Sequence, residues 1–251
     1  MALLEVSFYS HTLGMNMQMN VILPQQSQRK IPVLYLLHGR GDDHSTWLRQ
    51  TSIERYVSER NLAVVMPSVH LSYYTDMVHG NKYWTFISEE LPKIVHSFFN
   101  NLSDKREDNF VAGLSMGGYG ALKMGLALSE QFCAVASLSG ALDISSRCLS
   151  KQYSKDSEYW LDVFGDPQQV KDSKNDLLAL ASTLAQSKKP LPKVYIWCGT
   201  EDFLYDLNIT MKNHLEALQF DLTYEESPGD HQWKYWDAQI QRVLEWLPIQ
   251  K

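Results

Sequence analysis

With 251 residues, 44% of them apolar and 21% charged, the chain has the balance of a globular protein that can bury a large core, which excludes a disordered or fibrous polymer. Its formal net charge of −6 disfavours nonspecific attraction to nucleic acid or to an anionic membrane surface. No Pro-, Gly- or Ser-rich linker, like-charge block or fixed-period repeat marks a boundary, so residues 1–251 are expected to form a single domain.

The chain opens Met1-Ala2-Leu3-Leu4-Glu5, without the basic n-region of a signal peptide and with its apolar run broken at Glu5. No apolar stretch is long enough to span a bilayer. Three cysteines, Cys133, Cys148 and Cys198, lack metal-ligand or redox spacing and fit a reducing compartment, so a cytoplasmic location is expected. Cys133 and Cys198 lie in apolar runs and read as inert core residues.

Period-two alternation over Leu4–Phe8 and Met15–Val21, with a turn near Leu13-Gly14, predicts an antiparallel strand pair. Alternation with Asn and Gln makes the methionines strand residues facing a core rather than a soft-metal site. Nearly continuous apolar runs follow at Val33–Leu37, Leu62–Met66, Phe110–Leu114, Ala134–Leu138 and Val194–Cys198, as strands buried on both faces require. Helical patterns separate them at Trp47–Glu59, Trp84–Phe99, Met116–Leu128, Asn175–Gln186 and Asp206–Leu218. A last strand at Leu222–Glu226 and a closing helix at Gln232–Leu247 complete the series. The order predicts an α/β fold, a mostly parallel sheet with helices on both faces and the antiparallel pair at its N-terminal edge. The polar stretch Ser145–Ser157 reads as a surface insertion, and residues 142–189, with Tyr159-Trp160-Leu161-Asp162-Val163-Phe164, as a cap over the site.

In such a sheet ligands bind beyond the carboxyl ends of the strands, so the chemistry belongs to the loops there. Phe110 to Gly120 runs from a buried strand through Gly113-Leu114-Ser115-Met116-Gly117 into a helix, the Gly-x-Ser-x-Gly nucleophile elbow in its required context. Side chains at 113 and 117 would collide with neighbouring backbone, and the helix N-terminus favours an anion beside Ser115. Serine needs a base. Of the histidines only His214 and His231 follow it; His214 sits in a helical pattern, whereas His231 occupies the turn after the last strand, where the chain order Ser, acid, His puts the base. For the acid, Glu201 and Asp202 follow the penultimate strand, and Asp202, later past the Gly199 turn, is better placed to face the pocket.

An ester carbonyl under attack needs two fixed N–H donors. Met116 supplies one, and the loop His38-Gly39-Arg40-Gly41-Asp42-Asp43 the other, assigned to Arg40. His38 reads as a loop-holding group rather than a base, and Asp42, Asp43 and His44 as the capped start of the Trp47 helix rather than a metal cluster. The aromatic stretch with Tyr73, Tyr74, Asp76, Tyr83 and Trp84 either lines an acyl or aryl pocket or packs as core; Tyr74 and Trp84, with Gly39, are the substrate-binding candidates.

Taken with Val33–Gly39, Trp47-Leu48, Val65-Met66-Pro67, Tyr74-Thr75-Asp76, Glu89–Pro92, Ala112–Gly120, Cys198-Gly199, Asp202–Tyr205, His231, Trp233 and Tyr235-Trp236, the chain resembles the esterase D-like α/β hydrolases, in particular the bacterial tributyrin esterases. The resemblance covers essentially the whole chain. It implies hydrolysis of short-chain acyl esters by a Ser115-His231-Asp202 triad with no metal or organic cofactor, a small-molecule ester as the partner, and assembly as a dimer or tetramer. Relatives include feruloyl and acetylxylan esterases, mycolyl transferases and S-formylglutathione hydrolases. The last usually carry a cysteine in the loop where this chain has Arg40-Gly41-Asp42, which disfavours glutathione thioesters, and Arg40 replaces an apolar residue common there. The alternative from another class is a binding protein that keeps the scaffold without the chemistry.

Overall fold

The computed structural model describes residues 1–149 and 156–249. Its centre is one eight-stranded sheet: β1 (Ala2–Ser10), β2 (Met15–Leu23), β3 (Val33–Leu37), β4 (Ala63–Pro67), β5 (Asn109–Leu114), β6 (Ala134–Leu138), β7 (Lys193–Gly199) and β8 (Leu222–Ser227), in the order β1-β2-β4-β3-β5-β6-β7-β8. β1 and β2 pair antiparallel, as do β2 and β4; every pairing from β4 through β3 to β8 is parallel. All eight expected strands are therefore present, with ends shifted by no more than a few residues.

Period-two side-chain direction divides the core between the two faces of the sheet. Val33, Tyr35 and Leu37 join the cluster that includes Met17, Met19, Tyr119 and Leu215; Leu34 and Leu36 join the other, with Trp47, Ile53, Trp236 and Ile240. The first face is covered by α5 (Met116–Ala127), α8 (Leu177–Ala185) and α9 (Tyr205–Ala217), the second by α1 (Thr46–Gln50), α2 (Ile53–Val57) and α10 (Trp233–Trp246). Met17 and Met19 are core residues of β2, and Cys133 and Cys198 are buried thiols pushed up by desolvation. Among the described residues no helix is long and apolar enough to cross a membrane.

Two helices differ from expectation. The single helix expected over Trp47–Glu59 is divided into α1 and α2, because Thr51 is extended (φ −136°, ψ 171°). Its hydroxyl donates to the Trp47 carbonyl at 2.6 Å and accepts from the Ile53 N–H at 3.1 Å, replacing helical bonds with local side-chain ones. The segment expected at Trp84–Phe99 is helical but not uniform: α3 (Tyr83–Thr85) and α4 (Leu91–Phe98) flank a π turn over Phe86–Glu90. Pro92 has no N–H to offer the Ser88 carbonyl, and the widened turn lies just before it. Between β6 and β7 come α6 (Ile144–Leu149), α7 (Ser157–Phe164) and α8; residues 150–155 of the stretch read as a surface insertion lie outside the described residues.

β3 pairs with β4 on one side and β5 on the other, so the chain changes direction of travel at β3, and the region beyond the carboxyl ends of β3 and β5 is where a sheet of this kind binds its ligands. The far edge is fastened from below: the Glu90 carboxylate accepts from the Ser10 hydroxyl (2.5 Å) and the His11 N–H (2.7 Å), holding the β1–β2 turn on the helical segment. Replacing Glu90 by Ala should cost about 1.5–3 kcal/mol, the range for hydrogen bonds to a charged group. That corresponds to a fall of a few degrees in Tm, read by calorimetry.

Candidate active site

β5 ends at Leu114 and α5 begins at Met116, so Ser115 alone makes the turn from strand to helix. It does so at φ +54°, ψ −117°, a backbone region that costs a non-glycine residue about 1–3 kcal/mol. The surroundings hold it there: the Ser115 N–H donates to Leu138 O at 2.9 Å, and its carbonyl accepts from Tyr119 at 3.1 Å and Ala141 at 3.3 Å. A Cβ on Gly117 would lie 2.6 Å from the His38 carbonyl oxygen, and one on Gly113 would strike the Gly117 carbonyl, so both positions need glycine for close approach. The first N–H groups of α5, Met116 among them, face outward without intrahelical acceptors.

The structure brings the three distant polar residues together. His231 Nε2 lies 2.9 Å from Ser115 Oγ, and Nδ1 lies 2.8 Å and 3.0 Å from Asp202 Oδ2 and Oδ1. A carboxylate accepts only, so Nδ1 carries the proton and Nε2 offers its lone pair to the serine hydroxyl. Asp202 is fully enclosed while His231 keeps 19% of its side chain exposed; Asp202 Oδ1 also accepts the Leu204 N–H at 2.9 Å. Glu201 does different work. Its carboxylate accepts the Gly229 N–H, and its own N–H donates to Gly229 O at 3.0 Å, tying the loop that carries Asp202 to the loop that carries His231.

The loop after β3 is equally constrained. His38 Nε2 accepts the Val69 N–H at 3.0 Å, which leaves the proton on Nδ1 to donate to Gly39 O at 2.8 Å. Burial pulls this imidazole down to about 4, so it is a neutral support, as its loop-holding reading requires. The Asp43 carboxylate accepts the Ser45 N–H at 2.8 Å and the Ser45 hydroxyl at 2.6 Å ahead of α1, and no metal-binding cluster occurs among the described residues. Gly39 sits against the nucleophile: a Cβ placed on it would be 3.7 Å from Ser115 Cβ. The Arg40 side chain turns outward to form a two-pronged pair with Asp156, both N–O distances 3.0 Å, and its guanidinium carbon lies 4.2 Å from the Tyr159 ring centre. The hydrogen bond that Arg40 donates to Asp156 raises the Arg40 pKa and lowers that of Asp156.

Tyr74 and Trp84, candidates for substrate contact, are not brought to the nucleophile. Tyr74 is fully buried and gives its hydroxyl to the His38 carbonyl at 2.9 Å. Trp84 lies over the ammonium of Lys123 at 4.7 Å, and Lys123 is about 12 Å along α5 from Ser115 at 1.5 Å per residue. The aromatic stretch packs instead with α7: Tyr73 meets Trp160 at 5.1 Å and Phe164 at 5.8 Å. Residue identity gave no role to the rings that flank the imidazole, Phe203 at 4.5 Å and Trp236 at 4.8 Å edge-on. Nor did it point to Ser139, which accepts the Trp236 indole N–H at 3.1 Å. One signal was available for Lys123, a lone charge inside the apolar run Ala121-Leu122-Lys123-Met124.

A mixed sheet with a serine on this elbow, and a base and an acid arriving from the ends of later strands, is that of an α/β hydrolase. The chain belongs to the family described as "Putative esterase", whose model matches residues 10–247, and is a carboxylic-ester hydrolase. It is 35% identical to an acetyl esterase of Caldicellulosiruptor saccharolyticus, over 98% of each chain. Among solved structures it is similar to the Staphylococcus aureus fluorophosphonate-binding serine hydrolase FphF, at 35% identity and TM-score 0.90, covering 100% of this chain and 99% of that one. A second, the S-formylglutathione hydrolase FrmB of Staphylococcus aureus, matches at 35% identity and TM-score 0.87 over 98% of each chain.

The His38 environment predicts an acid-side stability loss. Its folded-state pKa lies below the ordinary value of 6.5, at about 4, so the unfolded chain binds the extra proton in that window. Stability is thus fully present above about pH 6.5 and falls as pH drops towards 4, by about 3 kcal/mol at 1.36 kcal/mol per pH unit. His38→Gln should flatten this part of a denaturant-midpoint profile taken from pH 7 to pH 4.

Proposed function

We propose that the chain is a serine carboxylesterase for short-chain acyl esters, with Ser115 as nucleophile, His231 as general base and acid, and Asp202 as the group that orients and stabilises the imidazolium. The reading rests on one observation above all: the two ring nitrogens of His231 bridge the Ser115 hydroxyl and the Asp202 carboxylate at 2.8–3.0 Å. As Ser115 Oγ attacks the ester carbonyl, its proton passes to Nε2, and the carbonyl oxygen becomes an anion held by the Met116 and Arg40 N–H groups. Collapse expels the alcohol, which takes the proton from Nε2 and leaves an acyl-Ser115. Water, deprotonated by the same nitrogen, then releases the acid and restores the serine.

Gly39 forms the floor beside the nucleophile, leaving room for the carbonyl oxygen. The described residues of the 142–189 segment, 142–149 and 156–189, act as the cap of a single catalytic domain, held down at one point by Arg40 on Asp156 and Tyr159. Phe203, 4.5 Å from the His231 ring, borders the site on the imidazole side. The acetyl esterase relative supports the short-chain acyl class.

A second reading, thioester hydrolysis, is favoured by the likeness to a protein titled S-formylglutathione hydrolase, although the loop here carries Arg40-Gly41-Asp42. Turnover of p-nitrophenyl acetate, butyrate and octanoate, methyl ferulate and S-formylglutathione should rank acetate and butyrate first; a preference for S-formylglutathione would favour the thioesterase.

Ser115→Ala should reduce p-nitrophenyl acetate turnover by about 10⁴-fold or more, as for triads that act as a unit. It should also abolish covalent labelling by a fluorophosphonate probe. Retained turnover in that variant would remove the serine from the mechanism.

A further inference from the structure

Lys123 lies on α5 and is 2% exposed, a charged side chain in a helix whose other buried positions are apolar or glycine apart from Tyr119. Its ammonium donates to Asn175 Oδ1 at 2.8 Å, to Thr75 Oγ1 at 2.9 Å and to the Tyr74 carbonyl at 3.1 Å. These are three acceptors for three protons. The ring faces of Trp84 (4.7 Å) and Tyr119 (5.7 Å) complete the enclosure. Among the described residues no carboxylate forms an ion pair with it. Burial pulls this amine down to about 7, with Lys174 adding to the pull and Asp76 opposing it, because an ammonium taken out of water loses solvation that neutral acceptors only partly replace.

What the cation holds is a strained turn. Tyr73 and Tyr74 both sit at φ +51°, a region bulky side chains avoid, and two of the three bonds from Lys123 end on Tyr74 and Thr75. From there the connection continues. The Tyr74 ring seats on α5 at Gly120, where a Cβ would press on its carbons, and its hydroxyl donates to His38 O at 2.9 Å. That carbonyl immediately precedes Gly39 and Arg40. The third bond reaches Asn175, whose backbone carbonyl also accepts the Tyr119 hydroxyl at 2.8 Å.

We propose that Lys123 is a positioning residue for the oxyanion site: it locks the strained Tyr73–Thr75 turn onto the nucleophile helix, so that the Tyr74 hydroxyl fixes the His38–Arg40 loop relative to Ser115. The inference rests on the assignment of the Arg40 N–H as an oxyanion donor. Lys123 touches no reacting atom, and its effect falls on the tetrahedral state, where the carbonyl oxygen has moved to the donors, and little on substrate binding.

The test uses the full chain and p-nitrophenyl acetate, with Lys123→Met, Tyr74→Phe and the double variant, each checked for folding by circular dichroism and thermal melting. Loss of one oxyanion donor costs about 10²–10³-fold in kcat, so misplacing one through Lys123→Met should cost about 10–100-fold, with KM changed by no more than about threefold. An alkylboronic acid, whose adduct on Ser115 puts an oxygen where the anion forms, should bind more weakly by a similar factor. Because both residues act through one loop, the double variant should lose little more than Lys123→Met alone. Should Lys123→Met fail to fold, Thr75→Val, which removes one acceptor at constant shape, takes its place in the same cycle. The inference is overturned if the folded variant keeps wild-type kcat and boronate affinity, if KM carries the loss, or if the losses of the pair multiply. A dead Ser115→Ala beside a normal Lys123→Met defeats this inference alone, whereas an active Ser115→Ala defeats the esterase reading beneath it.

Discussion

Everything at the site is arranged around the backbone of Ser115, held at φ +54° between a strand and a helix. The turn lifts the hydroxyl off the carboxyl end of β5, next to the outward-facing N–H groups of α5 and beside the β3 loop. It is an unfavourable conformation kept by its surroundings: bonds to Leu138, Tyr119 and Ala141, and the absence of side chains at 113 and 117, which lets the α5 backbone come against the carbonyls of Leu37 and His38. The same close approach that makes the turn possible brings the β3 loop within reach of the nucleophile. Strain and the proposed oxyanion geometry therefore have one cause.

Around that point the protein spends polar side chains on fixing loops. His38 is kept neutral and bonded at both nitrogens, Glu201 ties the loops that carry Asp202 and His231, and Lys123 secures the Tyr73–Thr75 turn. His38 and Lys123 are buried and Glu201 is exposed, and each bonds at least one backbone atom of the loop it holds, which narrows the arrangements open to that loop. Preorganisation of this kind is what electrostatic stabilisation of a developing oxyanion demands, since donors that must reorient during reaction give back what they gain.

The β6–β7 segment adds a second layer. Arg40 serves in two capacities, its backbone N–H in the proposed oxyanion pair and its guanidinium on Asp156 and Tyr159. Where an apolar residue would line the acyl pocket, the charged head instead reaches the outer segment, and the aromatic packing of Tyr73 with Trp160 and Phe164 lies behind it. The position of α7 is thus linked chemically to the loop beside the nucleophile.

The sequence by itself determined the strand series, since runs such as Val33–Leu37 and Ala134–Leu138 coincide with β3 and β6, and it singled out Ser115, Asp202 and His231, because each falls just after a strand end in a fixed chain order. Period and turn chemistry are local, and local patterns survive in one dimension. It did not reveal the break at Thr51, where a hydroxyl competes with the helix, or the π turn before Pro92. Nor did residue type say that Tyr74 would be enclosed behind the loop and Trp84 set over a buried ammonium. Only tertiary structure decided these, because whether an aromatic side chain meets a ligand or the core depends on which element packs over it, and the partners, Lys123, Asn175 and His38, are separated from one another by tens of residues along the chain.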